Sequence, residues 1–257
     1  MSDSDMRKYA VNNRMIIMRP ASCRITAIGL ALILWFSTTA SGWYDETHLA
    51  IAKTAGYKKW FHAAGPDMAK IKAGNSERYN HWYNNIAGVI VTPELVMRQV
   101  KQYNDAYDTE GHLYGAIIAS LRDYLRKTRK NIYAEYYLSY AAHYIGDLTQ
   151  PLHNIPYDVF NRTYHATNDG LVNKQILKNT ARIKKYVYTI YLDKDNFERD
   201  LSAEISRLAN LSRSLGLILK KEQRMMTEEE AFRQLGHSVS LLQAVLECMA
   251  GQENREK

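Results

Sequence analysis

The sequence predicts an all-α protein in which residues 43–257 form one multi-helix domain. Three observations lead there. Apolar residues recur at helical spacing, as in Tyr137, Leu138, Ala141, Tyr144 and Ile145, or in the leucines at 201, 208, 211, 215 and 219. Helix-opening signals stand at Thr92-Pro93-Glu94 and at Thr227-Glu228-Glu229-Glu230. Proline is scarce, 5 in 257 residues, and no Gly-rich phosphate loop, repeat or linker divides the chain.

Residues 1–42 read as a secretory signal. Five basic residues from Arg7 to Arg24 precede the apolar run Ile25–Phe36, and Ala40-Ser41-Gly42 offers small residues for cleavage. The run is shorter than the ~20 residues that span a bilayer. The expected location is therefore secreted or periplasmic, after cleavage near Gly42, with Trp43 as the new N-terminus. The signal holds five basic and two acidic residues, so the net charge of +7 falls to +4. A mildly basic surface suits an anionic membrane or a nucleic acid and decides neither. Of the 2 cysteines, Cys23 lies in the signal, which leaves Cys248 without an internal partner.

The elements follow in order. Glu46 to Ala55 is a short helix. Gly65-Pro66-Asp67 signals a turn, and Ile71 to Asn85, rich in Gly and Asn, reads as irregular. Thr92 caps a helix that runs to about Tyr107. A longer one follows from Gly111 to Lys130, and another from Tyr133 to Gln150. The segment from His165 to Tyr191 reads as helical with basic outer positions. The leucine pattern marks a helix from Asp200 to Lys220. The last helix opens at Thr227 and runs to Met249, before a polar tail, Gly251 to Lys257, expected to fray.

Chemistry concentrates in the helix ending at Gln150. His143 and Asp147 are four apart, so a helix carries both on one face. Pro151 stops the helix, which frees His153 to approach the same point from another direction. His165 and Asp169 repeat the four-residue spacing. Imidazole and carboxylate together suit zinc. Upstream stand His48 and the pair Asp67-x13-His81. His62, His112 and His237 fit no ligand spacing and read as ordinary surface or helix histidines. The 19 tyrosines are expected to pack at helix interfaces. Those near Tyr79, Trp82 and Tyr83 could instead line a substrate groove.

From Trp43 to about Met249 the chain resembles the zinc-dependent phospholipase C family and the related single-strand-specific zinc nucleases. The carriers are Trp43 with His48, Asp67-x13-His81, His143-x3-Asp147-x5-His153 and His165-x3-Asp169. The resemblance implies an all-α domain around three zinc ions. One would take Asp67, His81, His143 and Asp147. A second would take His153, His165 and Asp169. The third would take the amine and carbonyl of Trp43 together with His48 and Asp147, so Asp147 bridges two ions. Signal removal would then complete the site, because an amide nitrogen cannot replace the free amine. Asp67 is the expected base towards the attacking water, and a metal-bound hydroxide the expected nucleophile towards phosphorus. An exclusively structural role for Asp67 is the alternative. Gly146, costly inside a helix, suggests a close approach to the backbone.

Two substrates compete. Only 11 residues separate His153 from His165, and Glu46 matches an acidic position that contacts choline, both as in the phospholipase members. Against this, Met68 follows Asp67 where choline-gripping members place a Tyr, and the five-residue step from Trp43 to His48 is shared with the nucleases. The expectation is a phospholipase C-like phosphodiesterase acting on phospholipid, with a membrane surface as a further partner and Glu46, Tyr79 and Trp82 in the substrate site. A zinc nuclease acting on nucleic acid is the alternative, and a zinc-binding protein without turnover a third reading. No protein partner is predicted.

Overall fold

The structure is a computed structural model that describes residues 43–127 and 131–253. The signal-peptide reading of 1–42 and the end of the polar tail lie outside the described residues. Those described are helical, with no strand among them. No described helix is long and apolar enough to cross a membrane.

Helix α1 (Asp45–Thr54) opens the domain and carries acidic Asp45 and Glu46 in its first turn, favourable to the helix dipole. A 3-10 turn (Trp60–His62) leads to α2 (Gly65–Ala73) and the single turn α3 (Asn75–Arg78). This corrects two expectations. Gly65-Pro66-Asp67 is not a free turn but the start of α2, because Pro is at home in a helix's first turn. The stretch after Ile71 is also partly helical, in the end of α2 and in α3, and becomes irregular only from Tyr79.

Helix α4 (Pro93–Gln99) has the expected Thr92 cap, whose hydroxyl accepts from the Leu95 amide at 3.3 Å. It ends at Gln99, eight residues before Tyr107, and a 3-10 turn (Val100–Gln102) follows. The stop is local. Asn104 adopts φ +64°, a left-handed conformation that breaks the helix, and exchanges hydrogen bonds with Asn80 at 2.8 and 3.2 Å. Helix α5 (Leu113–Arg126) and α6 (Ile132–Leu148) pack against each other as an antiparallel pair at the centre of the domain. Asn131 caps α6 by accepting from the amides of Tyr133 and Ala134.

Pro151 ends α6 as expected and opens a 3-10 turn (Pro151–Asn154). Helix α7 (Val159–Asp169) starts six residues before His165, with Asp158 as cap. The long helix expected to Tyr191 breaks after Asp169. Only short turns α8 (Asn173–Ile176) and α9 (Thr180–Lys184) follow, and 187–192 is not helical. β-Branched Val187, Thr189 and Ile190 disfavour helix there. Helices α10 (Phe197–Glu222) and α11 (Glu228–Glu253) close the domain, and α11 runs past Met249 into the expected tail. Gly216 lets α10 lie against the 3-10 turn, since a Cβ there would meet the Pro151 carbonyl oxygen at 2.8 Å.

Candidate metal centre

Six segments bring the expected ligands together. Helix α1 supplies His48, α2 supplies Asp67, the loop after α3 supplies His81, and α6 supplies His143 and Asp147. The 3-10 turn adds His153, and α7 adds His165 and Asp169. The loop of His81 and the turn of His153 are tied both ways. The His153 ring donates to the His81 carbonyl at 2.5 Å, and the Tyr83 amide donates to the His153 carbonyl at 2.9 Å.

Asp147 joins the cluster. Its Oδ2 lies 2.8 Å from His81 Nδ1 and 3.2 Å from His143 Nε2. Its Oδ1 lies 3.5 Å from His48 Nε2 and 3.6 Å from the His153 ring. Asp67 Oδ1 is 3.5 Å from His143 Nε2 and 3.8 Å from His81 Nδ1. On the other side, His153 Nε2 is 3.1 Å from His165 Nε2, which is 3.4 Å from Asp169 Oδ2. Donor atoms of His48, Asp67 and His143, of His81, His143 and Asp147, and of His153, His165 and Asp169 each gather within 4.8 Å.

The outer ring nitrogens are already occupied. His143 Nδ1 donates to the Ala63 carbonyl at 2.7 Å, and His81 Nε2 donates to Glu77 Oε1 at 3.2 Å. His165 Nδ1 donates to Asn161 Oδ1 at 2.6 Å. Each bond leaves the opposite nitrogen, facing the cluster, as an acceptor. Two acceptor nitrogens 3.2 Å apart in His81 and His143, and two 3.1 Å apart in His153 and His165, repel unless a cation or a proton lies between them.

The carboxylates make the same demand. Asp67 Oδ2, Asp147 Oδ1, Asp169 Oδ2 and both nitrogens of His48 are buried without a hydrogen-bond partner, and Asp67 Oδ1 is buried with the Lys70 ammonium as its ion-pair partner. Such orphans cost about 1–3 kcal/mol each unless something satisfies them. Buried His/Asp sets of this kind can hold metal ions.

The protonation pattern shows the strain that metals would relieve. Burial opposes charge on His143, but Asp67 and Asp147 outweigh it and hold the imidazole up at about 10. Burial pushes Asp169 well above the usual carboxylate range, helped by the charges of Asp147 and Asp67. Asp147 and Asp67 go the other way: burial would raise them, but cationic His143 holds both well down. Burial lowers His153 to about 4 and lowers His48 too, so both rings are neutral at pH 7 and ready to act as ligands.

Access lies on the α2 and α7 sides. The Asp67 and His165 side chains keep 9% and 7% exposure, while those of His81, His143, Asp147 and Asp169 keep none. Lys70, one turn after Asp67, places its ammonium 2.5 Å from Asp67 Oδ1. Tyr157 stands edge-on to His165, with the Arg162 guanidinium 6.0 Å from its ring centre.

The remaining expected residues fall as follows. Trp43 is fully buried, and the next amide, Tyr44, donates to the Asp169 carbonyl, so the segment docks where α7 ends. Glu46 is exposed in the first turn of α1. Tyr79 and Trp82 are half-buried in an edge-to-face pair, and their carbonyls accept from the His112 and Leu113 amides. The close approach at Gly146 is made by the His48 ring. A Cβ there would meet His48 Nδ1 at 2.6 Å.

Sequence reading missed Glu77, Asn161, Lys70 and Tyr157. Glu77 and Asn161 precede His81 and His165 by four residues, the helical spacing already used for the ligands, so that signal was present. His112 is also corrected: it is fully buried, between Asp108 at 3.0 Å and Asn80 at 2.8 Å. A larger cavity of 1140 Å³, lined by Arg98, Arg122 and Glu198 among others, includes none of the cluster residues. Its size alone does not make it the centre, because it lacks convergent unsatisfied groups. No protein-family model, curated protein or solved structure gives a significant match to this chain.

Proposed function

We propose that this chain is a secreted zinc-dependent phosphodiesterase of the phospholipase C type, active after removal of residues 1–42. The observation that carries the reading is Asp147, whose two oxygens face two separate sets of histidines. A lone structural metal needs no such bridge, whereas hydrolysis of a phosphodiester profits from adjacent cations. Bound zinc supplies Lewis acidity towards phosphate oxygens and water.

The protein's own residues then divide the work. Asp147, His81 and His143 with Asp67 would hold one ion, and His153, His165 and Asp169 a second. His48 and Asp147, with the amine and carbonyl of Trp43, would hold the third. Asp67 is ionised, and its side chain is the only carboxylate-bearing one of the cluster that keeps any exposure, so it is the best placed to orient water or accept its proton. Lys70 beside it offers a fixed positive charge to an incoming phosphate. Lipid is favoured by the helix of Asp67 itself, which presents Met68 and Ile71 to solvent at 67% and 85% exposure beside exposed Phe61. Nucleic acid remains the second reading because Tyr157 and Arg162, at the His165 edge, pair an aromatic face with a base-friendly cation.

The test loads the form starting at Trp43 with zinc and assays phosphatidylcholine vesicles beside single-stranded nucleic acid, with a chelated control. Chelator-sensitive release of phosphocholine is expected. Cleavage of nucleic acid alone would move the chain to the nuclease reading. Absence of both, with zinc retained, would leave a binding protein.

A further inference from the structure

On the far side of Glu77 from His81 lies a cavity of 640 Å³ with an unusual wall. Five tyrosines line it: Tyr103, Tyr133, Tyr136, Tyr137 and Tyr140. Glu77 is the one charged residue among its lining side chains. We propose that this cavity is a binding site for a small organic ammonium cation, held by the tyrosine faces and by the buried negative charge of Glu77.

The chemistry selects one ligand class. Aromatic faces carry negative quadrupole potential and attract cations, most strongly where water is excluded. An anion would find a buried carboxylate in the wall and no cation among the lining residues, Lys127 sitting over Tyr137 from outside them. A small metal ion or a primary amine would need free oxygen acceptors, and Glu77 has committed its own. Its Oε1 accepts from Tyr144 at 2.7 Å and from His81 at 3.2 Å, and its Oε2 accepts from Asn80 at 3.2 Å. A quaternary or heavily alkylated ammonium donates no strong hydrogen bond. It needs only apolar contact, ring faces and net negative potential, and the cavity offers these three.

Two further observations agree. Burial and then the charge of Glu77 hold the Tyr103 and Tyr140 phenols above their ordinary value, so these two walls stay neutral. A ring of this wall already draws a cation: the Lys127 ammonium sits 5.1 Å from the centre of Tyr137. Asn104, in its left-handed conformation, completes the rim and is fixed there by Asn80. Loops rarely keep a non-glycine residue at positive φ without reason. None of the five tyrosines touches a candidate metal ligand or belongs to the substrate groups expected from the sequence; Glu77 alone is shared, since its Oε1 also accepts from His81. The proposal therefore stands apart from the phosphodiesterase reading.

The test measures binding, not turnover, on the purified protein by calorimetry or ligand-observed NMR. The probes are choline and its neutral isostere, in which a quaternary carbon replaces the nitrogen. Choline is expected to bind at least about tenfold more tightly than the isostere. Tyr136→Leu and Tyr140→Leu keep the wall apolar and should each weaken choline binding by about tenfold, while Tyr136→Phe should stay within about twofold. Tyr136 is 45% exposed, so its replacement leaves the core intact, and a thermal melt checks this. Equal binding of the isostere, binding insensitive to both leucine variants, or no choline binding would each overturn the proposal.

Discussion

Glu77 shows how much of a metal centre lies behind its ligands. It holds His81 by the outer nitrogen so that Nδ1 faces Asp147, and Tyr144 in turn holds Glu77. Outer carboxylates of this kind fix ring orientation and raise ligand basicity, and their loss costs about 10–100-fold in metal affinity. Glu77→Gln should therefore weaken metal binding by about that factor, while Glu77→Asp should recover part of it. Competition with a fluorescent chelator measures both, and unchanged affinity in the Gln variant would reduce Glu77 to packing. The clustering itself was legible because helical spacing and Pro151 are local signals: His143 and Asp147, and His153, His165 and Asp169, come together as the spacing leads one to expect. Glu77 and Asn161 share that local spacing but carry no ligand signature, and an orienting role depends on where the ring ends up. Lys70 and Tyr157 depend on which side of the cluster is open, which no local pattern encodes. Gly146 was legible as a close approach, but its neighbour, the His48 ring, comes from another helix.

At the scale of elements, capping chemistry was the most readable part of the fold. Thr227 and Glu230 form the reciprocal box at the start of α11. The Glu230 amide donates to Thr227 Oγ1 at 3.2 Å, and the Thr227 amide donates to Glu230 Oε2 at 2.8 Å. The structure adds Arg224, whose two terminal nitrogens donate to the two oxygens of Glu230 at 2.8 and 2.9 Å. Arg224, and secondarily Thr227, hold the Glu230 carboxyl down at about 2, against the opposing pull of partial burial, from an ordinary value of 4.5. A carboxylate lowered on folding adds stability above its unfolded value, and that stability fades as pH falls towards the folded one. Glu230→Gln should lower the melting temperature at pH 7, and the gap to the parent should close between about pH 4.5 and pH 2. A gap that stays constant over that range would mean the charge is irrelevant there. The elements misread from sequence lacked such caps or carried conflicting ones. Gly65-Pro66 signals both a turn and a helix start, and tertiary packing decides. The segment after Asp169 has basic residues at helical spacing but no apolar stripe wide enough to hold a long helix.

At the scale of the whole molecule, the cluster ties folding, protons and metal together. Helices α1, α2, α6 and α7, with two intervening loops, supply the ligands, so a bound ion cross-links segments from residue 48 to residue 169. Without metal, the buried carboxylates of this cross-link are balanced by protons. His143 keeps its proton at neutral pH because Asp67 and Asp147 outweigh burial, and Asp169 keeps one because burial and neighbouring negative charge both oppose ionisation. His48 and His153 carry none, since burial lowers both. A metal ion needs His143 neutral and Asp169 ionised, so loading must expel both protons. The sign follows: protons compete with the ion, and apparent affinity rises with pH. For a folded imidazole at about 10 the competition persists throughout pH 6–8, with up to about two protons released per molecule loaded. Calorimetric titration of the chelated protein with zinc at pH 7, in two buffers of different ionisation heat, counts those protons directly. A count near two, with a larger gain in melting temperature on loading at pH 8 than at pH 6, is the expected result. No proton release would show that the ion enters without displacing the proton on His143, and that the cluster read from the sequence is a network of hydrogen bonds instead of a ligand set.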